Sequence, residues 1–123
     1  MRLPDAPVGL RPGLLNLLVL RGDEFRERLV WKDANGDPLD ITGWVLEGQL
    51  REAYGGALLA NFVLDDAGLP DNEVNLRLTD TDTAALGEGV FPWDLVRVSG
   101  GPSFPRTVLS GVAVVRPRVT DGA

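Results

Sequence analysis

The chain has 123 residues, 44% hydrophobic and 24% charged, the composition of one ordinary globular domain. It contains neither cysteine nor histidine, which excludes disulfides, thiol nucleophiles, the usual zinc ligand sets and catalysis by a Ser-His-Asp triad. Twelve basic against eighteen acidic residues leave a net charge of −6, so a nucleic-acid backbone is repelled and no nucleic-acid partner is expected.

Residues 1–13 carry Pro4, Pro7 and Pro12 and read as an extended N-terminal arm. With Asp5 present and no basic start before an apolar run, the arm does not read as a signal peptide. Residues 14–20 are apolar apart from Asn16. That is too short to span a bilayer, so the stretch is a first strand and no membrane partner is expected. From Phe25 the pattern alternates, with Phe25, Leu29 and Trp31 on one face and Arg26, Arg28 and Lys32 on the other. Asn35-Gly36 then supplies the positive φ of a tight reversal.

Past a second turn at Thr42-Gly43, residues 44–51 place Trp44, Leu46, Gly48 and Leu50 on one face. Gly55-Gly56 turns the chain into residues 58–64, where Leu58, Ala60, Phe62 and Leu64 alternate with Leu59, Asn61 and Val63. A polar loop leads to Val74, Leu76 and Leu78, which share a face. Residues 79–86 are the one helical piece, with Thr79 or Thr81 as cap, Asp80 and Asp82 at the positive end of the dipole, and Gly87 as stop. Residues 90–98 point Phe91, Trp93 and Leu95 inward and Asp94 outward. Pro92, lacking an amide donor, belongs at an edge or near a strand start. A Gly-rich loop precedes the last strand, 107–115, which Pro117 ends.

About seven short strands at spacings near ten residues, with one short helix, predict an all-β fold: an antiparallel immunoglobulin-like β-sandwich over residues 14–117, with an arm at 1–13 and a tail at 118–123. A small barrel is the structural competitor.

Candidate chemistry gives way to structural readings. Asp33, Asn35 and Asp37 resemble the start of a calcium loop, but that loop needs glycine sixth and glutamate twelfth, where Pro38 and Trp44 stand. Asp80 and Asp82 are explained by helix-start preference. No catalytic residue, metal or cofactor is expected. Exposed tryptophans on a sandwich would stack on sugars, yet Trp31, Trp44 and Trp93 all fall on inward phases.

The last strand is the anomaly. Leu109, Gly111, Ala113 and Val115 line one face, and Val108, Val112 and Val114 line the other. A solvated outer face is normally polar. The valines are therefore expected to be covered, by the arm or by another subunit. Pro4, Pro7, Pro12, Val108, Val112, Val114 and Val119 are the candidate interface residues.

The order of motifs also resembles a known group. Gly22-Asp23, Trp31-Lys32-Asp33, Asn35-Gly36-Asp37-Pro38 and Leu39-Asp40-Ile41-Thr42-Gly43 are followed by Leu76-Arg77-Leu78-Thr79, Thr83-Ala84-Ala85-Leu86, Gly89 and Trp93-Asp94-Leu95. Leu109-Ser110-Gly111 and Val115-Arg116-Pro117-Arg118-Val119-Thr120 complete the series. Over residues 14–120 this is similar to small β-sandwich proteins of tailed bacteriophages, and to the N-terminal domain of phage upper baseplate proteins. Pro92 and the proline-rich arm depart from that pattern. The resemblance implies a non-enzymatic virion structural protein of the tail or baseplate, assembled in the host cytoplasm as a symmetric homo-oligomer among neighbouring phage structural proteins. Capsid decoration, or a carbohydrate-binding module for host attachment, is the alternative.

Overall fold

The computed structural model describes residues 13–100 and 107–119. The fold is all-β. The described strands are β1 (Gly13–Leu14), β2 (Leu17–Leu20), β3 (Phe25–Val30), β4 (Val45–Arg51), β5 (Leu58–Asn61), β6 (Val63–Asp65), β7 (Glu73–Leu78), β8 (Gly89–Ser99) and β9 (Thr107–Arg116), with one helix, α1 (Asp80–Ala84). They form two sheets. The larger runs β1-β9-β8-β4-β5, with β2 following β1 along β9, and the smaller runs β3-β7-β6. Pairing is antiparallel except where β1 and β2 lie parallel to β9.

The inner faces meet in one apolar cluster in which Leu29, Leu50, Leu76, Leu78, Leu95 and Leu109 are completely or almost completely buried. Each such side chain contributes about 1.5–3 kcal/mol. Trp31 and Trp93 are sealed inside the same cluster, whereas Trp44 is half-buried at its margin, edge-on to Trp31 with ring centroids 6.5 Å apart.

Two expected strands are each broken in two, so nine strands stand where about seven were predicted. Residues 14–20 divide at Leu15-Asn16. There the Leu15 carbonyl accepts the Trp93 indole N–H at 2.8 Å, and the Asn16 side-chain oxygen accepts the Val112 amide at 3.1 Å. Residues 58–64 divide at Phe62, where the chain leaves the larger sheet for the smaller. The Phe62 ring plugs the crossing, edge-on to Phe25 and to Trp93 with centroids 6.1 and 5.5 Å away. Gly48 makes room for it: a Cβ there would stand 3.2 Å from the Phe62 ring.

The turns follow their local chemistry. Gly36 takes φ +83°, and the Asp33 carboxylate accepts the amides of Asn35 and Asp37, so the calcium-like residues are spent on closing a turn. Thr79 caps α1 by accepting the Asp82 amide. The fully buried Thr83 then ties the helix to the β2–β3 turn, accepting the Gly22 amide at 3.0 Å and donating to the Asp23 carbonyl at 2.8 Å. Pro92 lies in β8, which has neighbours on both sides, but the β4 ladder ends at the Leu50–Trp93 pair. Residues 89–92 therefore border β9 alone, a local edge that tolerates the missing donor.

Candidate functional site on the outer face of the larger sheet

The two sheets present opposite surfaces. On the smaller sheet the outward phase is charged and self-paired: Arg28 meets Glu73 at 2.9 Å, and Arg77 meets Glu24 at 3.2 Å and Asp65 at 3.3 Å. This is the solvated face that an antiparallel sheet ordinarily shows.

On the larger sheet the same phase is apolar at one end. Strand register sets Leu18 beside Val114, and Val114 beside Val90. Leu18 and Val90 are 59% and 60% exposed, with Val114 half-buried between them. Val112 and Pro92 form the next row, and Leu14 and Leu20 extend the patch along the β1–β2 edge, both exposed.

The structure sets Val112 and Val114 in adjacent rows of this outer face. Val108 differs. It is the extra residue where the β8–β9 register shifts between Leu95 and Val96, and it packs against the core. It does not join the outer row, because a bulge changes the phase that strict alternation assigns. Val119 is fully exposed beside Arg118, whose guanidinium is held 3.1 Å from the Asp23 carboxylate. Pro4, Pro7 and Pro12 lie outside the described residues. Leu14, Leu18, Leu20 and Val90 join this face without being among the residues that the sequence singles out for it. Apolar side chains on both phases of 14–20 carried the same signal as β9.

Two residues further along the sheet the face turns polar. Leu14, Ser110, Asp94, Gln49 and Asn61 lie side by side across five strands. Arg51 donates to the Gln49 side-chain oxygen at 2.8 Å and to the Gly56 carbonyl at 2.9 Å, and the Gln49 amide group reaches Asn61 at 3.4 Å. Gln49, Arg51, Asp94 and Ser110, with Pro92 from the apolar patch and Tyr54 on the β4–β5 turn, border an open hollow of about 230 Å³. Among the described residues, no cluster of three or more acidic side chains has the arrangement of a metal site. No protein-family model matches this chain, and no curated protein matches it significantly.

Partial burial holds the Asp94 carboxyl above its usual 3.8, with the nearby Arg51 charge pulling the other way. The native state therefore binds this proton more tightly than the unfolded chain does, and ionised Asp94 opposes folding at neutral pH. That penalty vanishes below the unfolded carboxylate pKa and is fully present above the raised native one. Asp94→Asn is expected to unfold at higher urea concentration than the parent at neutral pH. In strong acid the two urea midpoints should coincide.

Proposed function

We propose that this protein is a non-enzymatic structural component of a bacteriophage particle, of the tail or baseplate, held in a symmetric assembly through the outer face of its larger sheet. The observation that carries the reading is the contrast between the two outer faces. One sheet covers its surface with ion pairs, and the other leaves Leu18, Val114, Val90, Val112 and Pro92 contiguous and facing out. A sheet face of that kind is a place for another protein surface.

Strand order supports the immunoglobulin-like part of the reading. The β9-β8-β4-β5 arrangement facing β3-β7-β6 matches the G-F-C-C′ and B-E-D sheets of that sandwich. The motif series from Gly22-Asp23 to Val119-Thr120 supports the phage part, through its resemblance to baseplate-associated sandwiches. The tryptophan form of the sugar-binding alternative has less support, since Trp31 and Trp93 are core residues.

Multi-angle light scattering of the full chain is expected to give a defined homo-oligomer, and mass spectrometry of purified particles is expected to find the protein among the virion components. A monomer at all concentrations, together with absence from particles, overturns the proposal.

A further inference from the structure

We infer that the hollow bordered by Tyr54, Arg51, Gln49, Asp94 and Ser110 binds a single neutral sugar ring, a hexopyranose at the end of a glycan. This goes beyond the assembly reading and does not rest on it, although the hollow adjoins the apolar patch through Pro92, which lines both.

Size sets the first limit. Sites for drug-sized ligands occupy roughly 300–1,000 Å³, and the open hollow holds about 230 Å³, enough to seat one ring. Chemistry sets the second. Tyr54 is 87% exposed, an aromatic face left in water beside polar side chains, and such a face packs well on the C–H side of a pyranose.

The polar groups that line the hollow are fixed before any ligand arrives. The Arg51 guanidinium is clamped by Gln49 and by the Gly56 carbonyl, while Ser110 and Asp94 are locked side by side by the β8–β9 register. Asp94 is half-buried, and no hydrogen bond to its carboxylate offsets that burial among the described residues. An acceptor in that condition fits a hydroxyl donor from outside. Charge sets the third limit. Arg51 and Asp94 stand close enough to feel each other, so an anion meets the carboxylate and a cation meets the guanidinium. A neutral polyol, donating to one and accepting from the other, meets neither repulsion.

The test is a titration of the isotope-labelled full chain, followed by amide NMR, with the methyl glycosides of glucose, galactose and mannose. At least one glycoside is expected to shift the amides of residues 49, 51, 54, 55, 94 and 110 saturably, with millimolar affinity. Tyr54→Ala and Asp94→Asn should each weaken that binding about tenfold or more, the equivalent of about 1.4 kcal/mol. Tyr54→Phe, which keeps the ring, should bind within about threefold of the parent. Tyr54 is exposed, so its variants keep the fold, and the same spectra verify it. Absence of a saturable shift with all three glycosides overturns the inference. So does binding that survives Tyr54→Ala unchanged. Binding of butylguanidinium in place of sugars overturns it as well and reassigns the hollow to a cationic side chain.

Discussion

Replacing Gly111 by alanine is expected to destabilise the protein by about 3 kcal/mol or more, a large share of the roughly 5–15 kcal/mol that holds a domain together. A Cβ at 111 would stand 2.1 Å from the Leu15 carbonyl oxygen and 2.8 Å from its carbon. Those are backbone atoms, and no rotamer change relieves the overlap. Relief requires moving the Leu15 backbone, which breaks the hydrogen bond to the Trp93 indole and disturbs the β1–β2 edge along β9. Overpacking alone costs about 1–3 kcal/mol, and leaving a buried indole donor unpaired adds about 1–3 kcal/mol. The melting temperature should fall on the order of 10 °C. Gly87→Ala is the control, because nothing lies within 4 Å of that position and its φ is ordinary. It is expected to be neutral or slightly stabilising through the unfolded chain. Urea denaturation of the two variants beside the parent checks both expectations. Equal stability of Gly111→Ala and parent would mean that Leu15 does not occupy that space.

The parts of this fold that are legible in the sequence are those decided within a few residues. Asn35-Gly36 turns because glycine takes the positive φ there, and Thr79 caps because its hydroxyl meets an amide three residues on. β7 alternates strictly between core and surface, as Val74, Leu76 and Leu78 announce. The breaks at Leu15-Asn16 and Phe62 are of another kind. Apolar alternation runs through Phe62 without a flaw, and Asn16 is the single polar residue in an otherwise apolar 14–20. The interruptions come from Trp93, 78 positions beyond Leu15, and from a ring crossing between sheets. Val108 shows the same limit, since a bulge is a property of two strands. Arg97 is a further case. Its phase is inward, its charge argues outward, and it lies buried with its guanidinium 5.5 Å from the centre of the Trp44 ring, an arrangement that sets the cation on the negative face of the indole. The hollow was illegible because Arg51, Asp94 and Ser110 come from three strands. Only register makes them neighbours.

Substituting Leu18 and Val90 together by lysine is expected to abolish self-association while leaving the protomer folded. The two side chains flank Val114 in one row, and both are mostly exposed in the single chain, so their replacement changes protomer stability by no more than about 0.5 kcal/mol each. In an assembly that covers this face, burying the exposed three-fifths of each side chain contributes about 1–2 kcal/mol, and a lysine in its place carries an unpaired charge into the contact. Loss of about 3 kcal/mol is already more than a hundredfold in the association constant. The matched control is Arg26→Ala with Arg28→Ala on the outer face of the smaller sheet, where the assembly is expected to persist. Sedimentation velocity reports the mass and chemical denaturation reports the fold. The same pair of measurements separates the two ways of covering the face. If residues 1–12 of the same chain cover it, the parent is a monomer and the double lysine variant loses stability instead of association. If another copy covers it, the parent is an oligomer, and the variant is a stable monomer.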